Sequence, residues 1–142
     1  MTRFWKLAPW LTRLMLVAPT AIFAMIASRY LFDPVRTGKA IGLAFNTPVA
    51  LTITRVGFGA FPLAFSMFTL SCLVSTRRIL TGLGFVALIM AIALVVRVFG
   101  MLADGSVQES MGLVRAEAIM LVVFLGGIFI ERGRRNQLKH AQ

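Results

Sequence analysis

The sequence predicts an all-α integral membrane protein, a four-helix bundle formed by a single domain of 142 residues. Composition is the first reason. Hydrophobic residues make up 58 % of the chain, charged residues only 14 %, and the mean hydropathy is +0.86, whereas about 25 % of the residues of a soluble protein are charged. The second reason is the presence of four apolar runs, each long enough to cross a hydrocarbon core of about 30 Å. The third is that basic residues flank these runs.

The first predicted span covers residues 10–32 and follows a basic, aromatic N-terminal segment. A signal peptide has a similar profile, but cleavage after Ala27 would place the bulky Met25 where a small residue is preferred. We therefore expect an uncleaved first helix. It should end at Asp33-Pro34, because proline has no amide donor and restricts the residue before it.

The second predicted span covers residues 48–75. It should begin at Thr47-Pro48, since a capping side chain followed by proline favours a helix start. Pro62 predicts a kink within this helix. Small residues at helical spacing predict a stripe that allows close contact with another helix. The stripe consists of Gly57, Ala60, Ala64 and Ser71.

The remaining two spans follow in quick succession. The third covers residues 79–103 and should end at Asp104-Gly105, which favours a turn. The fourth covers residues 111–130. The basic segment 131–142 is expected to be a mobile tail outside the membrane.

The distribution of basic residues predicts the orientation and the surroundings of the chain. With four spans, nine Lys and Arg residues lie on the side of the two termini and six on the other side, together with four acidic residues. Because basic residues are enriched on the cytoplasmic side, we expect a multi-pass membrane protein with cytoplasmic termini. Lipid is the expected partner, with anionic head groups at the basic face, although the basic residues could serve topology alone. Nucleic acid is not expected, because the basic residues flank apolar runs.

Charged residues at the ends of the apolar runs predict a polar cluster. By helix rise, Glu117 and Arg97 lie about 20 Å and about 27 Å from the cytoplasmic boundary. Arg55 lies near the start of the second span, at the end away from the cytoplasm. Asp104 follows Arg97 by two helical turns and so projects from the same face. An unpaired carboxylate in hydrocarbon is costly, so Glu117 needs an arginine or a proton. The predicted cluster comprises Arg55, Arg97, Asp104 and Glu117.

Three interpretations of this cluster are open: an ion-pair clamp, a ligand or ion site, and a catalytic site. Catalysis has little support, because the only histidine, His140, lies two residues from the C-terminus and no histidine lies near Ser71 or Cys72 in the spans. No group of residues has metal-ligand spacing. We therefore predict no catalytic residue, metal or cofactor.

Several short segments along the chain carry a resemblance to a known family. These segments are Phe32-Asp33-Pro34, Gly42, Pro48-Val49-Ala50, Arg55 to Gly59, Arg97, Asp104-Gly105 and Glu117. Through them the sequence resembles domain-of-unknown-function family 4345, a group of small bacterial membrane proteins. The resemblance implies a four-helix bundle in a bacterial inner membrane, more distantly similar to the DoxX-like proteins, and carries no activity with it. DoxX-like relatives are linked to sulfur and quinone redox systems, which implies an accessory role beside membrane electron transfer.

Together these observations favour a non-enzymatic accessory or scaffold subunit of a larger inner-membrane complex. An electron-transfer complex is one such complex. The alternative is a protein that binds a small molecule, lipid or quinone, or a proton-coupled transporter. In that alternative an outward-facing pocket holds an anionic head group through Arg55 and Arg97, and Glu117 is the protonatable partner.

Overall fold

The described part of the chain is helical throughout, which confirms the predicted fold class. The structure is a computed structural model that describes residues 3–140 and, within them, the side chains of residues 7–108 and 110–138. It contains no strand in this range. The elements in chain order are α1 (Arg3–Phe32), α2 (Pro34–Lys39), α3 (Pro48–Thr54), a π-helical segment (Arg55–Ala60), α4 (Phe61–Val74), α5 (Ile79–Asp104) and α6 (Val107–His140).

Four helical stretches are long and apolar enough to cross a membrane. Their outer surfaces carry large apolar side chains, among them Phe99, Leu102 and Phe129, which are 71 %, 76 % and 72 % exposed. An apolar surface of this extent fits contact with lipid rather than water. These features are those of a multi-pass membrane protein. The four stretches are Leu7–Phe32, Pro48–Val74, Ile79–Asp104 and Ser110–Leu138.

The predicted helix boundaries arise from local capping chemistry. The Thr47 side chain accepts a hydrogen bond from the Ala50 amide at 3.2 Å, which caps α3. Asp33 caps α2 in the same way, with the Arg36 amide 3.2 Å away. At the end of α5, Gly105 has a φ of +69°, a left-handed conformation that glycine adopts without strain.

The helices pack mainly as two pairs. α1 lies along the π-helical segment and α4, while α5 lies along α6. The two pairs meet near the α4–α5 turn, and all but one of the buried residues of α5 lie between Ile79 and Ala87, Met101 being the exception. The shared core consists of Leu16, Cys72, Ile79, Leu83, Val86, Ala87 and Phe124.

Hydroxyl side chains join α1 to α4 inside the apolar region. The Thr20 hydroxyl donates to Thr69 Oγ1 at 2.9 Å, and the Ser66 hydroxyl donates to the Thr20 carbonyl at 3.0 Å. Hydrogen bonds of this kind between membrane helices contribute on average about 0.6 kcal/mol each. They fix the register of the first two spans.

The distortion predicted at Pro62 takes the form of a π-helical segment just before it. The Phe61 amide donates to the Val56 carbonyl, five residues back. In a regular α-helix the ring of Pro62 would collide with the carbonyl four residues earlier, and the wider π-helical turn relieves this collision. It also changes the phase of the helix: Thr54 and Gly59, five residues apart, are both buried.

The C-terminal helix is longer than predicted. The sequence places the end of the fourth span at residue 130 and a mobile tail from residue 131, but α6 continues to His140. The predicted end of the last helix near residue 130 is therefore wrong. Glu131 pairs with Arg134 and Arg135, three and four residues later, and pairs at this spacing stabilise a helix.

Candidate functional site

Arg97 of α5 and Glu117 of α6, two members of the predicted cluster, form an ion pair. Arg97 Nε lies 2.9 Å from both Glu117 Oε1 and Oε2, and Arg97 Nη2 lies 2.6 Å from Oε1. The side chains are 33 % and 14 % exposed, respectively. Of the partners that the sequence leaves open for Glu117, the structure has Arg97, and both carboxylate oxygens accept charge-assisted hydrogen bonds.

The antiparallel packing of α5 and α6 explains this contact. Two long helices that lie side by side bring residues at equal depth together, and the rise per residue places Arg97 and Glu117 at similar depth. Arg115, two residues before Glu117, is exposed, because residues two apart point to different sides of a helix. The pair neutralises its own charges and links the third span to the fourth.

The other two members of the predicted cluster lie elsewhere. Arg55 is exposed, and its Nε donates to the Leu31 carbonyl at the end of α1 at 3.4 Å. Asp104 is exposed and has no ion pair among the described side chains. The predicted convergence of Arg55 on Arg97 and Glu117 is wrong, because the start of the second span packs against α1 rather than against the α5–α6 pair.

The predicted small-residue stripe lies on the outer surface of the second span. Gly57, Ala60, Ala64 and Ser71 are all exposed, and a Cβ added at Gly57 would meet no atom within 4 Å. These residues therefore do not pack against the other helices of this chain, and their contact with an outside helix stays a prediction. The buried positions of the span are Thr54, Gly59, Ser66, Thr69 and Cys72.

A second cluster, which the sequence analysis missed, surrounds Glu131. This side chain is fully buried. Its Oε2 accepts from Arg134 Nε at 2.9 Å, and its Oε1 accepts from Arg134 Nη2 at 2.6 Å and from Arg135 Nε at 3.1 Å. A Glu followed by Arg three and four residues later indicates ion pairs on one helix. The sequence analysis placed these residues in a tail and so did not use this spacing.

The same cluster ties α6 to the α4–α5 turn. Arg135 Nη2 donates to the Arg77 carbonyl at 2.8 Å. From the other side of the turn, Arg13 Nη2 donates to Thr76 Oγ1 at 2.7 Å, and the Arg13 guanidinium lies 5.8 Å from the centre of the Trp10 ring. Two helices, α1 and α6, thus contact this turn through polar side chains.

Two open cavities lie at opposite ends of the bundle. One, of about 400 Å³, is lined by Arg29, Asp33, Arg36, Thr37 and Ala40 at the α1–α2 junction. The other, of about 470 Å³, is lined by Thr76, Arg77, Arg134, Arg135 and Leu138. Neither is lined by Arg97 or Glu117. No group of three or more His, Cys, Asp or Glu side chains in the described range is placed to hold a metal ion.

The geometry thus comprises one intramembrane ion pair, one buried cluster at the α4–α5 turn and an exposed stripe of small residues. In comparisons with protein-family models, curated proteins and solved structures, nothing matches this chain.

Proposed function

We propose that this chain is a non-enzymatic accessory or scaffold subunit of a larger complex in a bacterial inner membrane, with both termini in the cytoplasm. The excess of basic residues on the side of the termini, nine against six, supports the orientation. The resemblance to family 4345 and to DoxX-like proteins supports a place beside membrane electron transfer.

The observation that carries the proposal is the exposure of the small-residue stripe. Gly57, Ala60 and Ala64 are exposed, so small side chains lie on the outer surface of the second span. Membrane helices associate through such surfaces, because small side chains let two backbones approach closely. The other helices of this chain do not cover the stripe, which leaves it available to a helix of another subunit.

The charge arrangement also supports a structural role. Arg97 and Glu117 engage each other through three short contacts, so the pair contributes to holding α5 against α6. These contacts use three of the about four acceptor sites of the carboxylate, as expected of a pair whose role is structural.

The proposal predicts that enlarging a stripe residue disrupts complex formation. Ala64→Leu would fill the space that an approaching backbone needs, so the tagged variant should lose about tenfold or more of any partner that co-purifies with the wild type in mild detergent, as would follow from a loss of about 1.4 kcal/mol of binding energy. Quantitative mass spectrometry of the purified material measures this loss.

The matched control is Ala116→Leu, the same substitution at an exposed alanine of α6, which should retain the partner. A wild-type protein that purifies alone and monodisperse would contradict the proposal, as would equal partner loss in both variants.

Binding of a small molecule, lipid or quinone is the second candidate, and the cavity at the α1–α2 junction favours it. Arg29 and Arg36 line this cavity beside Asp33, and their charges suit an anionic head group. The sequence analysis had instead assigned this role to Arg55 and Arg97. Arg36→Gln should then abolish retention of a co-purified ligand, whereas Arg115→Gln should not. Extraction of the purified protein followed by mass spectrometry tests this, and an extract containing bulk lipid alone would exclude it.

A further inference from the structure

The open groove beside the α4–α5 turn lies where the helices leave the apolar region. Thr76 and Arg77, on one wall, connect the second span to the third, and Arg134, Arg135 and Leu138, on the other, follow the end of the fourth apolar run at Ile130. A groove at this level faces the phosphates of the lipid head groups, which lie just outside the hydrocarbon core.

The groove carries excess positive charge. Three arginines line it, Arg77, Arg134 and Arg135, and Glu131 is the carboxylate that pairs with two of them in the described structure. Two positive charges are left uncompensated. The Arg77 side chain is exposed and makes no hydrogen bond to a described residue.

Two of these guanidinium groups are held in place before any ligand binds. Arg134 is fixed by its two contacts with Glu131, and Arg135 by Glu131 and the Arg77 carbonyl. Each guanidinium has five N–H donors, of which these contacts use two in each residue, so others are free for an acceptor. Their planar geometry matches phosphate oxygens.

We propose that this groove is a defined binding site for the phosphate of an anionic phospholipid. The arginines contact the phosphate, and the acyl chains extend from it toward the apolar spans. The site is distinct from the proposed contact surface on the second span, and it does not depend on a protein partner.

The decisive comparison uses two adjacent arginines of the same turn. Arg77 lines the groove and Arg78 does not, although both side chains are exposed. In the full-length protein, Arg77→Gln should weaken binding of phosphatidylglycerol about fivefold, equivalent to about 1 kcal/mol for one basic side chain near a membrane surface. Arg78→Gln should weaken it less than about twofold. Native mass spectrometry of the protein in neutral detergent gives the Kd of the first bound lipid.

Equal losses in the two variants would overturn the proposal, because a diffuse electrostatic attraction does not distinguish neighbouring charges. Arg135→Lys adds a test at constant charge: an oriented site should bind the lipid about threefold more weakly, by part of the difference between a forked and a point-charge donor, whereas a diffuse field predicts no change. Phosphatidylcholine binding as tight as phosphatidylglycerol, or displacement by equimolar inorganic phosphate, would also contradict a site for an anionic phospholipid.

Discussion

Among individual residues, Glu117 shows which contacts can be predicted from the depth of a residue in the membrane. Its position and that of Arg97 follow from counting residues along two neighbouring antiparallel helices, so their contact could be predicted from the sequence. Arg55 was placed at the same depth, but depth does not say which helices are neighbours, and this residue reaches the α1 carbonyl of Leu31 instead. Glu131 was missed, because its burial depends on α6 continuing past the apolar run.

The Arg97–Glu117 pair predicts a measurable stability effect. Glu117→Gln would leave the Arg97 guanidinium with a neutral partner, and we expect the free energy of unfolding to fall by about 1–3 kcal/mol. This lies between the values for exposed and fully buried pairs, because the two side chains are 33 % and 14 % exposed. Thermal unfolding in detergent, followed by circular dichroism, measures the loss.

Arg115→Gln is the control, since its exposed side chain has no ion pair in the described range. The combined change Arg97→Met with Glu117→Leu should recover most of the stability, because replacing both charges leaves none unpaired. A Glu117→Gln protein as stable as the wild type would show that the pair does not clamp α5 to α6.

Among the helices, the second span shows where α-helical periodicity fails. The stripe of Gly57, Ala60, Ala64 and Ser71 was identified by regular spacing, but the π-helical segment inserts a wider turn and the buried face follows Thr54 and Gly59 instead. Pro62 indicated a distortion without indicating its kind. The starts of α3 and α5 and the end of α5 were predictable to within a residue, since capping and turn chemistry are local.

Two glycines of α5 differ in their packing, although the sequence does not distinguish them. Gly82 and Gly84 look alike in the sequence, but a Cβ at Gly82 would lie 2.7 Å from Cys72 Cβ and 3.0 Å from Leu16 Cδ1, whereas nothing lies within 4 Å of one at Gly84. Gly82 thus allows α5 to approach α4 and α1. Sequence spacing alone does not reveal such a difference, because it depends on which helix lies opposite.

We therefore expect Gly82→Ala to lower the free energy of unfolding by about 1–2 kcal/mol, since the overpacked methyl group outweighs the better helix propensity of alanine. Gly84→Ala should be neutral or slightly stabilising. Thermal unfolding of the two single variants under the same conditions tests this, and the same transition temperature in both would contradict the described contact of α5 with α4.

For the whole molecule, composition and the four apolar runs were sufficient to predict a helical membrane bundle, because each span must satisfy its backbone hydrogen bonds internally. The pairing of the spans was not predictable, since every span is apolar on several faces. The orientation of the bundle stays a prediction from the count of basic residues on each side.

The orientation can be tested with two single cysteines in a Cys72→Ser background. Ser106 lies between α5 and α6, and Asn136 is an exposed residue near the end of α6. With cytoplasmic termini, a membrane-impermeant maleimide should label Ser106→Cys in intact cells and Asn136→Cys only after permeabilisation. The reverse pattern would place the termini outside.

The proposal that the outer surface of the second span contacts another subunit is tested most directly by photo-crosslinking in native membranes. A benzophenone amino acid at position 64 should form a product with another polypeptide, visible as a discrete mass shift on a gel. The same probe at position 116, on the exposed surface of α6, should give lipid adducts only. If both positions react with lipid alone, the second span faces the bilayer and the chain is not held in a complex through this surface.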